Sequence, residues 1–238
     1  MSLTFDDGYA DQMSAVSILN EHGLKGTFYI ISGSIGTPDY LTEADLQGIA
    51  ESGHEIGGHT VTHPDLTTLP ADEAKREICT GRATLSSWGH RITSFAYPYS
   101  AYNAEVEQLV GQCGYNSART LGDIASSHGC TGCPTAGTIP PADPYNIRAP
   151  DDHDNTWTLQ DMQDVVTTAE RTGGWLPLTF HRICDDNCDR LSISTTMLNS
   201  FVSWLKTRST RGTVVKTVDQ VIGGPAHPVV TASPLAHG

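Results

Sequence analysis

Apolar and polar positions follow two rhythms along the chain. Short runs rich in aromatic and β-branched residues read as strands: Ser2–Phe5, Thr27–Ile31, Glu55–Gly58, Ser94–Ala96, Asn116–Arg119, Trp175–Phe180 and Thr213–Thr217. Between them apolar residues recur every three or four positions, the period of a helix with one buried face. Met13, Val16 and Leu19 do so over Asp11–His22, with Gly23 as the stop. Thr42 caps a helix carrying Leu46 and Ile49, and Gly53 ends it. Pro70 sits at the first turn of a helix whose stripe is Ala74, Ile78, Leu85 and Trp88. Ala104–Cys113, Leu159–Glu170 and Thr196–Lys206 read as helices too. Leu121–Pro150, rich in Pro, Gly and Ser, reads as a long ordered loop, functional or stapled. Residues 1–222 are thus expected to form one domain, and the Pro-, Ala- and Gly-rich residues 223–238 a tail or linker stub.

Strand–helix alternation predicts a parallel sheet, open or closed into a barrel. A functional site then belongs at the C-terminal ends of the strands. The length of 238 residues with 38% hydrophobic residues suits one such domain.

Charge narrows the partners. Lys and Arg number 14 against 27 Asp and Glu, a formal charge of −13. Such a chain repels phosphate backbones, so nucleic acid is not an expected partner. An uncharged sugar polymer is compatible with it. No apolar run approaches the length of a membrane span. The chain opens directly on an apolar strand, which reads as a trimmed start. Six cysteines fit three readings: buried thiols, a four-cysteine zinc site built from Cys130/Cys133 and Cys184/Cys188, or three disulfides in an oxidising compartment. The even count with two close local pairs is the disulfide pattern.

Four polar clusters follow predicted strands. Thr4-Phe5-Asp6-Asp7-Gly8 puts two carboxylates at a strand end, where successive side chains face different ways. Taken alone, both also fit turn and cap positions. His59 and His63 stand four apart before Pro64, and a helical turn ending at His63 would let both meet one ion. Asp7, His59 and His63 together form a three-ligand set with a place for water, the pattern of a catalytic zinc site. Phe95-Ala96-Tyr97-Pro98-Tyr99 offers the Tyr99 backbone N–H and an aromatic wall. Leu178-Thr179-Phe180-His181 delivers a histidine suited to general acid catalysis.

These segments resemble the polysaccharide deacetylase family, also called the NodB-homology family or carbohydrate esterase family 4. Thr4–Gly8 matches its first motif and His59–Pro64 its second, Tyr97–Tyr99 matches the end of its third, and Leu178–His181 resembles its fifth, in family order over residues 1–222. The cysteine pattern is similar to that of secreted actinobacterial members. The resemblance implies a distorted (β/α) barrel with fewer than eight repeats, a secreted monomer, and an acetylated polysaccharide as substrate. It implies a divalent ion, Zn²⁺ first, on Asp7, His59 and His63. Asp6 would be the general base, His181 the general acid, and the Tyr99 N–H an oxyanion donor. One departure stands out: the family's Arg two residues before Pro98 is Ala96 here. Another arginine is expected to orient Asp6, with Arg148 first because it precedes the acidic Asp151–Asp154 segment, and Arg119 second. The missing Arg also leaves open a carbohydrate-binding relative without catalysis, and the motifs alone do not exclude hydrolysis of a non-sugar amide. The expected disulfides are Cys130–Cys133, Cys184–Cys188 and Cys79–Cys113, the last joining leftovers on neighbouring helices. The acidic charge favours a neutral or weakly charged polymer, such as acetylxylan or a chitin oligosaccharide, with Tyr9, Tyr97, Tyr99 and Tyr102 as faces for sugar rings.

Overall fold

In the computed structural model, which describes residues 1–185 and 188–231, six short strands pair into one parallel sheet. They are β1 (Ser2–Phe5), β2 (Thr27–Ile30), β3 (Glu55–Gly58), β4 (Ser94–Ala96), β5 (Ser117–Arg119) and β6 (Pro177–Phe180). Their order is β5-β4-β3-β2-β1-β6. Every residue of the six is buried, as in parallel strands covered on both faces. Helices α1 (Gln12–His22), α2 (Glu43–Glu51), α3 (Ala71–Ser87), α4 (Ala104–Gln112) and α5 (Leu159–Thr172) link successive strands, and α6 (Thr195–Thr207) follows β6. Thr42 and Thr158 close capping boxes with Asp45 and Asp161, satisfying backbone groups that the first turn leaves free.

The sheet curls. Arg119 at the end of β5 donates to the carboxylate of Asp6, just past β1. These strands lie four steps apart in the sheet, about 19 Å if it were flat, far beyond the reach of an arginine. The six strands therefore form the distorted (β/α) barrel with fewer than eight repeats that the family resemblance implies. Phe5 stacks on Phe28 at 4.8 Å and on Phe180 at 5.4 Å in the core. All three expected disulfides are present. Cys79–Cys113 ties α3 to the end of α4, Cys130–Cys133 staples the long loop, and Cys184–Cys188 lies between two short strands, β7 (Arg182–Ile183) and β8 (Ser192–Ile193).

Thr213–Thr217 is not a strand. The ammonium group of Met1 donates to Val214 O, and Lys216 N donates to Met1 O. The segment is held by Met1, just ahead of β1, and by Glu170, which accepts from the Thr213 hydroxyl, and it makes no ladder among the described residues, despite its β-branched composition. It leads into a short helix, α7 (Val218–Ile222). The long loop from Leu121 runs back beside β5, where Ala118 N donates to Pro144 O and Ile147 N to Ala118 O. Beyond Gly223, Asn116 donates to Gly223 O and Pro225 O, and Arg82 to His227 O and Pro228 O. The first part of the expected tail therefore lies against the barrel, while 232–238 fall outside the described residues.

Candidate active site

A cleft of about 610 Å³ opens at the C-terminal ends of the strands and is lined by Asp6, Asp7, His59, His63, Tyr99 and His181. β1 ends at Phe5, and Asp6 N donates to Phe180 O, so Asp6 keeps the sheet's register. Asp7 then takes φ 77° and Gly8 φ 80°. This left-handed turn brings the Asp7 carboxylate to the histidines, instead of leaving it on the opposite face as strict alternation would.

His59 follows β3, with its backbone N–H on Ile30 O. Its Nδ1 lies 2.7 Å from Ala96 O. A carbonyl only accepts, so Nδ1 carries the proton and Nε2 presents a lone pair. The helical turn expected over 59–63 does not form. Thr60 and His63 both take left-handed φ, 67° and 63°. Glu77 of α3 accepts from Val61 N, Thr62 N and the Thr62 hydroxyl, and the Thr60 hydroxyl accepts from His63 N. The tight turn still brings the second imidazole to the first.

His59 Nε2 and His63 Nε2 are 3.1 Å apart, and they lie 3.4 and 3.6 Å from Asp7 Oδ1. Ligands about 2.0–2.1 Å from a tetrahedral ion stand roughly 3.3–3.4 Å from one another, so one small cation fits all three atoms. Among the described residues, Asp7 Oδ1 is buried with no hydrogen-bond partner, and such an atom calls for a cation. Burial works against charge on each ligand. At Asp7 burial raises the carboxyl, but His59, His181 and His63 outweigh it and hold it below the usual range. At His59 burial lowers the imidazole, and Asp7, Asp6 and the Ala96 carbonyl together reverse the balance upward. At His63 burial, reinforced by His59, brings the pKa down to about 4.

Asp6 is 3% exposed, and its ion pair with Arg119, itself 1% exposed, is closed to water. Arg119 holds Oδ2, while Oδ1 is buried without a partner among the described residues. Ala96 and Arg119 are register partners across β4 and β5, so the guanidinium enters the barrel one strand over from Ala96, at the same height. It lies over the Tyr29 ring, 5.3 Å from its centre. A Cβ at Gly57 would come within 2.5 Å of that ring, so this glycine makes room for the platform under Arg119. Arg148, the first candidate for this role from the sequence, does not take it. It is exposed and lines a separate small cavity with Pro141, Asp143 and Trp175. The run beside β5 that carries Ile147 inward turns Arg148 out.

His181 follows β6 at the wall of the cleft. Gln12, fully buried on α1, donates to both Asp6 O and His181 O and so fixes the ends of β1 and β6 together. A glutamine on the buried face of an amphipathic helix was the overlooked signal for it. Tyr99 takes φ 55°, and its ring lies 4.6 Å from that of His63.

The sequence model of a family described as polysaccharide deacetylase matches residues 1–118. The chain is 32% identical over 127 residues to the putative polysaccharide deacetylase YxkH of Bacillus subtilis, covering 52% of this chain and 46% of that protein. It is 33% identical over 108 residues to a chitooligosaccharide deacetylase of Rhizobium leguminosarum, covering 44% and 48%. The chain thus spans less than half the length of these curated relatives. Among solved structures, the Xyl-CE4 domain of a multidomain xylanase from the hindgut metagenome of Trinervitermes trinervoides shares the fold. The TM-score is 0.62 at 22% identity, over 92% of this chain and 87% of that one. A family 4 carbohydrate esterase from Streptomyces lividans gives a TM-score of 0.58 at 16% identity, over 91% and 90%.

Proposed function

Since the chain belongs to the polysaccharide deacetylase family, we propose that it is a secreted, metal-dependent hydrolase that releases acetyl groups, N- or O-linked, from a polysaccharide. The observation that carries this reading is the convergence of Asp7 Oδ1, His59 Nε2 and His63 Nε2 within 3.6 Å of one another. A divalent ion there, Zn²⁺ by the nature of its donors, would polarise the acetyl carbonyl and make water acidic enough to attack at neutral pH. The chain's own groups do the rest. Asp6, pinned through Oδ2 by Arg119, has Oδ1 free to take the proton of the attacking water. The Tyr99 N–H donates to the oxygen that gains negative charge. His181 gives its proton to the departing amine or alkoxide, which completes the exchange of acetyl for hydrogen.

Three disulfides support an oxidising, extracellular setting. None of the helices is long and apolar enough to cross a membrane among the described residues. An acidic monomer working on a neutral polymer agrees with the charge of −13. Acetate assays on acetylxylan, chitin oligosaccharides and peptidoglycan, run side by side, test the reading. Release is expected from at least one, with acetylxylan or the chitin oligosaccharides ahead of peptidoglycan. Release from none of them would remove the proposal.

A further inference from the structure

A second cavity, of about 420 Å³, opens at the opposite end of the barrel, where Met1 stands just ahead of β1 and Leu176 just ahead of β6. Its volume falls within the roughly 300–1,000 Å³ of small-molecule sites. Its floor is the seam between two apolar clusters. Val166, Ala169 and Leu176 belong to the main core, whereas Trp175 sits in a satellite with Ile147 and Val218. Four large apolar side chains are exposed among the described residues, and two of them, Ile139 and Val214, line this cavity. The backbone fixes one wall. Gly137 and Trp175 exchange N–H···O bonds of 2.8 Å, which clamps the long loop against the segment entering β6. Gly174 takes φ 121°, and a Cβ there would come within 2.4 Å of Gly137 O, so only glycine lets the loop approach this closely.

The charges around this apolar floor are unbalanced. Glu170 is the one acidic side chain of the lining, and its carboxylate is already answered: both oxygens accept from Arg208, and Oε1 also accepts from the Thr213 hydroxyl. Arg211 and Lys216 line the same cavity, are exposed, and enter no ion pair among the described residues. The catalytic cleft is the reverse, with Asp6, Asp7, Asp151 and Asp152 in its walls. On a chain of formal charge −13, the far cavity is thus a local place where an anion is drawn in and the rest of the surface repels it. Apolar depth with unpaired cations beside it matches a ligand that has an apolar body and one anionic end.

From this we infer that the cavity at the N-terminal end of the barrel is a binding site for a small amphiphilic carboxylate, an apolar chain ending in one carboxyl group. The chain would lie over Val166, Ala169 and Trp175, and the carboxylate would meet Arg211 and Lys216. The inference stands apart from the deacetylase reading, and its test needs no turnover. Calorimetric titration of the full chain compares octanoate, hexanoate, octylamine and acetate. Octanoate is expected to saturate at one molecule per chain with a Kd of about 1 mM or below. Hexanoate should bind at least fivefold more weakly, since each buried methylene strengthens binding about fourfold. Octylamine and acetate should show no saturation, the first for its charge and the second for its lack of an apolar body. The double variant Arg211→Glu with Lys216→Glu, both at exposed positions, should keep the melting temperature of the wild type and bind octanoate at least tenfold more weakly. His59→Ala should bind octanoate as the wild type does. Absence of saturable octanoate binding, equal affinity for octylamine, or unchanged affinity in the double variant would overturn the site. Loss of binding in His59→Ala would overturn it too, by placing the acid in the catalytic cleft.

Discussion

Asp7 and Asp6 are neighbours in the chain, yet different parts of the fold hold them. Asp7 meets His59 and His63 through the ends of β1 and β3, with only β2 between. Each of these proposed ligands is fixed by its own short turn or a single nearby carbonyl. Asp6 is held from across the barrel by Arg119 of β5, and the pair is almost wholly buried. The first arrangement can be assembled turn by turn. The second exists only once the sheet has curled, and it joins the proposed base to the closure of the fold. Losing a metal ligand should therefore cost function with little loss of fold, and losing the far arginine should cost both.

The largest separation is expected between the two aspartates. Asp6→Asn should cut acetate release by 10²-fold or more, the scale of a positioned base, with metal content unchanged. Asp7→Asn should lose the metal together with the activity. Elemental analysis beside acetate assays checks this, and a metal-free Asp6→Asn with a metal-loaded Asp7→Asn would reverse the two roles. Next comes Arg119→Ala, which leaves a buried carboxylate unpaired and should cost about 3–5 kcal/mol in urea unfolding. Ala96→Arg added to it should recover part of both stability and turnover, because the two positions are paired in register. Failure of that rescue while Arg148→Ala proved equally damaging would return the role to Arg148. His181→Ala should lose roughly 10²-fold in kcat at unchanged metal content, and a loss of metal instead would make His181 a ligand.

The smallest effect concerns acid. His153 is buried, with Nδ1 on Thr179 O and its ring between Trp157 and Phe180. Burial lowers its pKa to about 4, against the raising effect of that hydrogen bond. The unfolded chain binds this proton below about pH 6.5, so stability should fall as pH drops from 6.5 to 4. Melting temperatures at pH 7 and 4.5 should show a smaller acid loss for His153→Phe than for wild type. An equal loss would remove His153 as a contributor.

Much of this was legible along the chain. Runs such as Thr27–Ile30 and caps such as Thr42 and Thr158 carry local signals that tertiary structure reinforced. The segments bearing Asp7, His59 and His63 are close in sequence to strand ends, so strand placement alone brings them near. Arg119 was harder, because its meeting with Asp6 depends on curvature, which no local pattern encodes. Arg148 had an acidic segment next to it in sequence, and proximity in sequence misled. The turn at His59–His63 defeated helical reasoning since it needs left-handed backbone at Thr60 and His63, residues with no intrinsic preference for it. Thr213–Thr217 had strand composition but no partner strand along its length.

The most direct test is acetate release and bound metal measured together on one preparation: as purified without chelator, after exhaustive chelation, and after return of Zn²⁺. The expected outcome is close to one divalent ion per chain, activity lost on chelation and restored with the ion, and neither metal nor activity recovered in His59→Ala. Full activity in the chelated protein would contradict the central claim that Asp7, His59 and His63 form a catalytic metal site.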